Sequence, residues 1–243
     1  MDLRYATEFL SYTVTASDAV SADYPVTNLN SDSANPILEQ YRSLNASGTK
    51  TLTLDFGAAK TIVLTAVLGT NFTAMTLAGT AKTLTKNALT SHYGNALLQT
   101  VSASNTMVVV VSVATPIDSA GYFKIGQILC VETGKLNVLS RGMLAGATIK
   151  VIDPVLEAGT DVQDLIPGDA YRTLQFSDEV EYAAGTGDFD ALRAISPATK
   201  IMIVDLDSPS QLPVFYGRRM SAEESISLGS TMQSGSMEFL ELI

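Results

Sequence analysis

Few residues of this chain of 243 are suited to nucleophilic or zinc chemistry. A serine or cysteine nucleophile usually needs an imidazole to accept its proton, and the sequence offers one histidine, His92. The single cysteine, Cys130, stands in the apolar run 128–131, which predicts a buried and inert thiol. Zinc sites draw on several His and Cys ligands at set spacings, which one residue of each type does not supply. We therefore expect a protein that is not an enzyme and holds no zinc.

Carboxylates are abundant, with 25 Asp and Glu residues, so oxygen ligands for a hard cation are available. A glycosidase also places two carboxylates across a cleft, but nothing in the spacing selects a pair. The calcium candidates fall in one loop region and one Asp-x-Asp pair, namely Asp18, Asp23, Asn28 and Asp32, and Asp188 with Asp190. Neither group has the register of an EF-hand loop. We expect no cofactor, and calcium stays open as an alternative.

Charge and hydropathy exclude two classes of partner. The net charge is −10, and Arg218-Arg219 is the one adjacent basic pair, so the stripe of cations that binds nucleic acid is missing. The longest apolar run, 107–111, is far shorter than the ~20 residues that span a bilayer, so no membrane partner is expected. Residues 1–8 lack the apolar core of a signal peptide, which predicts assembly in a reducing cytoplasm.

The elements that must position any site are predicted to be strands. Leu52, Leu54 and Phe56 alternate with polar residues, which predicts a strand with one buried face. The apolar run 61–72 predicts a second strand, joined to the first by a short connection at 57–60. There Gly57 is expected to take the positive φ of a tight turn. The valine-rich run within 97–114 predicts a strand buried on both faces.

Further strands are predicted elsewhere along the chain, at 11–15, 73–89, 173–177, 200–204, 214–216 and 237–243. Residues 188–195 predict one short helix, because Phe189, Leu192 and Ile195 share a face and Pro197 prevents its continuation. Glycines and prolines between 133 and 168 predict an organisational boundary. The expected architecture is a mainly β, antiparallel sandwich over residues 1–132. Residues 133–243 form a second β-rich half, either a separate small domain or an extension of the same sandwich.

Several short words between residues 20 and 132 resemble those of galactose-binding-like jelly rolls of the discoidin and coagulation-factor C-type group. They include Asn-Leu at 28–29, Arg-Ser at 42–43, Leu-Asp-Phe-Gly at 54–57 and Ile-Gly at 125–126. The order is similar to the version found in tail-associated structural proteins of bacteriophages. The matching positions are expected to be architectural, and they are Asn28, Leu29, Arg42, Asp55, Gly57, Gly69, Asn71 and Gly126. The resemblance implies that Asp55 fixes a strand end through backbone hydrogen bonds.

This resemblance implies a non-enzymatic structural protein of a bacteriophage virion, in its tail, baseplate or connector region. Its expected partners are other virion proteins and further copies of itself, since virion symmetry favours homo-oligomers. The segment 237–243 is expected to be an edge strand able to extend a neighbour's sheet. The alternative is a carbohydrate-binding module for host-surface polysaccharide. Its loops would present Tyr24, Tyr41, His92 and Tyr93, in a chain that has no tryptophan for stacking.

Overall fold

The computed structural model describes residues 3–30, 40–84, 93–111, 116, 120–139, 148–152, 155–157, 165–167, 171–181, 188–206, 214–226 and 232–242. Predictions that concern Asp32 and His92 lie outside these residues. The predicted fold class, a mainly β antiparallel sandwich with one short helix, is confirmed. The chain divides into two compact units. The first holds Met1–Val138 and Met202–Val214, and the second holds Leu139–Ile201 and Phe215–Leu242.

The strands and helices follow one another along the chain with short connections. The strands up to residue 138 are β1 (Leu3–Ala6), β2 (Thr13–Ala16), β3 (Tyr41–Arg42), β4 (Lys50–Thr70), β5 (Ala74–Leu77), β6 (Thr80–Thr83), β7 (Tyr93–Val111), β8 (Lys124–Ile125), β9 (Gln127–Glu132) and β10 (Asn137–Val138). The later elements are β11 (Thr148–Ile152), β12 (Val155–Glu157), β13 (Leu165–Pro167), β14 (Tyr171–Glu181), α1 (Asp188–Ala194), β15 (Lys200–Asp205), β16 (Phe215–Ile226) and β17 (Met232–Glu241). A 3-10 helix covers Val26–Asn30.

The long strand β4 organises the first unit. Its sheet has the order β2-β4-β7-β5-β6, and β9 also pairs with β4. The prediction of two strands joined by a turn at 57–60 was wrong, because β4 runs through this segment and pairs with β7 on either side of it. The register shifts between Asp55 and Lys60, so the extra residues form a bulge. Gly57 has φ of 71°, as predicted, and serves the bulge instead of a turn.

The valine run lies in β7 and is buried on one face. Met107, Val109 and Val111 are buried, whereas Val108 is 37% exposed. The prediction of burial on both faces was therefore wrong. Valine suits a pleated strand on either face, so an unbroken apolar run does not tell which side chains are covered. The predicted half-exposed strands at 73–89 correspond to the hairpin β5–β6.

The core of the first unit packs aliphatic and aromatic side chains from both ends of β4. Its fully buried members include Leu29, Leu52, Leu54, Ile62, Phe72, Leu77, Val109, Phe123, Ile125 and Cys130. Phe72 and Phe123 meet edge to face with 5.9 Å between ring centroids. Cys130 is buried as predicted, and burial raises the pKa of its thiol to about 12. A thiol that stays protonated is a poor nucleophile.

Two further groups of strands complete the picture. In the first unit, β1 pairs antiparallel with β10 and with the 202–205 part of β15. In the second unit, β17 pairs with β16 on one side and β14 on the other. The prediction that 237–243 forms an edge strand was therefore wrong for the described part of this segment. The predicted helix is confirmed as α1, with Leu192 fully buried. Among the described residues, no helix is long and apolar enough to cross a membrane.

Candidate functional site

Three extended segments of the first unit lie side by side around β3. The Arg42 N–H donates to the Tyr24 carbonyl oxygen at 3.2 Å, and the Ser21 N–H donates to the Arg42 carbonyl oxygen at 3.1 Å. On the other side, the Ser43 N–H donates to the Phe123 carbonyl oxygen at 2.9 Å. This pairing brings residues near 24, 42 and 122 together from distant parts of the sequence.

The side chains of Tyr24, Arg42 and Tyr122 form one cluster on the outer face of these segments. The Arg42 Cζ lies 3.6 Å from the centroid of the Tyr24 ring and 4.8 Å from that of the Tyr122 ring. All three residues are half-buried. The contacts are cation–π interactions, which hold the planar guanidinium in place. We call this group the Tyr24–Arg42–Tyr122 cluster.

The guanidinium of Arg42 keeps hydrogen-bonding capacity. Its Nε is buried and has no hydrogen-bond partner among the described residues. No salt bridge joins Arg42 to an acid within the same part of the chain. An arginine has several N–H donors in a fixed plane, which suit hydroxyl and carboxylate oxygens. The cluster therefore combines aromatic surface with immobilised donors.

Asn71 supports the cluster from behind. Its Nδ2 donates to the Tyr122 carbonyl oxygen at 2.9 Å, and its Oδ1 accepts from the Lys124 N–H at 2.9 Å. Asn71 is only 3% exposed, so both hydrogen bonds are shielded from water. The segment that carries Tyr122 is thus fixed by a side chain from the end of β4.

Two of the matched glycines bring the same segment close to β4. Gly69 has φ of 64°, and a Cβ at this position would lie 3.3 Å from the Gly126 Cα. The Gly126 N–H donates to the Leu68 carbonyl oxygen at 2.8 Å. A side chain at position 69 would therefore push the two backbones apart.

The remaining matched positions lie elsewhere in the first unit. Asn28 Nδ2 donates to the Gln40 carbonyl oxygen at 3.2 Å, and Leu29 is fully buried. Asp55 Oδ1 accepts from the Gly57 N–H at 2.8 Å, a backbone hydrogen bond like the one the resemblance implied for Asp55. This bond lies at the bulge of β4, so Asp55 and Gly57 are not part of the cluster.

The sugar-binding candidates from the sequence fare differently from one another. Tyr24 belongs to the cluster, whereas Tyr41 is only 1% exposed, which contradicts its predicted place in a binding loop. Burial, with Asp18 nearby, raises the pKa of Tyr41 to about 12. His92 and the Tyr93 side chain lie outside the described part of the structure. Tyr122 was missed, because its proximity to Arg42 depends on strand pairing.

The described calcium candidates already make other contacts. Asp18 Oδ2 binds the Nζ of Lys50 at 2.5 Å, and the Lys50 side chain is only 4% exposed. Lys50 Nζ also donates to Asn45 Oδ1 at 3.1 Å. Among the residues that the structure describes, no group of His, Cys, Asp and Glu is arranged to hold a metal ion. Calcium binding stays an untested alternative.

No family model and no curated protein matches the chain. Among solved structures, SpGH29 is 18% identical with a TM-score of 0.38, and the match covers 52% of this chain but 28% of that one. The lectin domain of lectinolysin complexed with Lewis B antigen is 8% identical with a TM-score of 0.40, over 53% of this chain and 99% of that one. Reduced XRCC1 bound to the DNA pol beta catalytic domain is 10% identical with a TM-score of 0.41, over 51% and 98%. Carbohydrate-binding modules and lectin domains recur among the matches. Likenesses this low carry no argument about function.

Proposed function

We propose that the first unit is a non-enzymatic carbohydrate-binding module whose site is the Tyr24–Arg42–Tyr122 cluster. The observation that carries the proposal is the stacking of the Arg42 guanidinium against two half-buried tyrosine rings, 3.6 Å and 4.8 Å from their centroids. This is the alternative function predicted from the sequence, and host-surface polysaccharide is its expected ligand.

The chemistry of the cluster suits a sugar. A pyranose presents an apolar C–H face that packs against aromatic surface, and hydroxyl groups around its edge that need polar partners. The tyrosine hydroxyls and the guanidinium supply donors and acceptors within one small area. Because the rings already hold Arg42 in place, binding costs little additional side-chain entropy.

A glycan array probed with the full chain tests the proposal. Arg42→Gln shortens the side chain and removes the planar cation, and we expect it to lower the affinity for any bound glycan by at least about tenfold, or about 1.4 kcal/mol. Arg218→Gln is the matched control, because Arg218 is an exposed arginine in β16 of the second unit. Circular dichroism and thermal unfolding check that both variants fold.

Two results would contradict the proposal. One is a chain that binds no glycan on the array. The other is an Arg42→Gln variant that folds and binds glycan as the original chain does.

A structural role in a bacteriophage virion is the second proposal, and a different observation favours it. Strand β10 ends its sheet in the described part of the chain, and its Val138 is 56% exposed. An end strand with an exposed apolar side chain suits strand addition by another copy or another virion protein. This proposal places the chain in a tail, baseplate or connector assembled in the host cytoplasm.

Light scattering with size-exclusion chromatography tests this second role. If β10 joins copies, the full chain forms oligomers and Val138→Lys shifts it towards the monomer. A chain that is monomeric at high concentration would argue against self-assembly through this edge.

A further inference from the structure

A second cation lies directly beside the Tyr24–Arg42–Tyr122 cluster. In the antiparallel pair of β3 and β8, Arg42 is the Cα partner of Lys124. Side chains at directly opposite positions of such a pair share one face of the sheet. Arg42 and Lys124 are both half-buried, whereas their neighbours Tyr41 and Ile125 are buried on the other face. The outer face of this pair therefore carries two positive charges.

This placement is costly unless something compensates for it. Like charges at directly opposite strand positions destabilise the pair. The chain has only 15 basic residues against 25 acidic ones, so two cations at opposite positions stand out against the charge of the chain. The backbone of Lys124 is fixed by its hydrogen bond to Asn71 Oδ1, which keeps the two positions in register. An anionic ligand group would relieve the repulsion and accept hydrogen bonds from both side chains.

We propose that the module binds acidic saccharides, with a sugar carboxylate held by Arg42 and Lys124. This inference rests on the proposed carbohydrate-binding function and adds the ligand class. The guanidinium matches the two oxygens of a carboxylate, and the lysine ammonium adds a point charge beside it. The tyrosine rings then contact the apolar face of the same sugar or of its neighbour.

Two matched pairs of ligands test the inference on the full chain by isothermal titration calorimetry. Oligogalacturonate is compared with its methyl ester, and sialyllactose with lactose, so that each pair differs in its carboxylate. We expect the acidic member of at least one pair to bind at least about tenfold more tightly, as for a charge-assisted hydrogen bond. This preference should weaken as salt increases.

Lys124→Met is the decisive variant, because methionine keeps the length of the apolar stem and removes the charge. It is expected to remove most of the preference for the acidic ligand and to leave the affinity for the neutral one unchanged. Lys135→Met is the matched control, since Lys135 is an exposed lysine of the same unit. Poly-glutamate serves as an anion that is not a saccharide.

The outcomes separate the two proposals. If neutral and acidic sugars bind equally, or if Lys124→Met keeps the acidic preference, this inference fails and the carbohydrate-binding function stands. If no saccharide binds, or if poly-glutamate binds as well as the acidic sugars, the carbohydrate-binding function itself fails.

Discussion

The side-chain amide of Asn71 donates a hydrogen bond of 2.9 Å to the backbone carbonyl oxygen of Tyr122. A residue at the end of β4 thus holds one ring of the candidate site. The same side chain accepts from the Lys124 N–H, so one buried amide satisfies two backbone groups of the segment that carries both Tyr122 and Lys124.

Replacing Asn71 by alanine tests this support. Asn71→Ala leaves a buried carbonyl and a buried N–H without their partner, so we expect a loss of about 2–3 kcal/mol in the free energy of unfolding. Glycan binding should weaken as well, because Tyr122 loses its anchor. Asn137→Ala on the exposed strand β10 is the control, with an expected change within about 0.5 kcal/mol. Urea unfolding measures both, and equal stability of the two variants would refute the assigned role.

The glycines at 57 and 69 separate backbone strain from steric contact. Both have positive φ, 71° and 64°, but a Cβ at Gly57 meets nothing within 4 Å, whereas one at Gly69 lies 3.3 Å from the Gly126 Cα. We expect Gly57→Ala to cost about 1 kcal/mol and Gly69→Ala at least about 2 kcal/mol. Thermal unfolding of both variants checks the order, and a Gly69→Ala protein as stable as Gly57→Ala would show that the two backbones can separate freely.

Two buried tyrosine hydroxyls are predicted to differ in their contribution. The Tyr12 hydroxyl contacts the carbonyl oxygens of Leu29 and Ile128 at 2.8 Å and 2.7 Å. The Tyr41 hydroxyl is buried without a partner among the described residues. Tyr12→Phe should therefore lower the free energy of unfolding by about 1–3 kcal/mol, and Tyr41→Phe should be neutral or stabilising. Chemical denaturation distinguishes them, and a reversed order would contradict this hydrogen-bond assignment.

The ion pair between Lys50 and Asp18 is expected to respond unequally to the loss of either partner. The Lys50 side chain is 4% exposed and that of Asp18 is 43% exposed. Asp18→Ala leaves a buried ammonium without its counter-charge, whereas Lys50→Met leaves a carboxylate that water reaches. We expect Asp18→Ala to be the more destabilising change, by about 1–3 kcal/mol at neutral pH. Unfolding curves of the two variants measure this, and a more stable Asp18→Ala protein would exclude a charged Lys50 at this place.

Alkaline pH should destabilise the protein through Cys130. Burial raises the pKa of its thiol from 9.0 to about 12, so the folded state keeps the proton that the unfolded state loses. This contribution to stability is complete below pH 9 and is lost as the pH rises towards 12. Relative to pH 8, we expect a loss of about 1.4 kcal/mol at pH 10 that Cys130→Ala does not show. Urea unfolding in the presence of a reductant tests this, and equal pH slopes for both proteins would contradict it.

The sequence by itself determined which side chains alternate towards the core at Leu52 and Leu54, and the positive φ of Gly57. It also determined the short helix at 188–194. These are local properties, since they depend on side-chain period and on backbone sterics within a few residues. The sequence did not distinguish a turn from a bulge after Asp55, because glycine permits both and the pairing of β4 with β7 selects the bulge.

Only the tertiary structure decided the candidate site. Tyr24, Arg42 and Tyr122 come from three segments, and Lys124 joins Arg42 only in the register that pairs β3 with β8. A slip of one residue would turn Arg42 towards the core and Tyr41 towards solvent. Register depends on contacts between residues far apart in the chain, such as those of Asn71 and Gly69 with the segment 122–126. Local sequence patterns do not encode such contacts, so the site emerges only after the strands have paired.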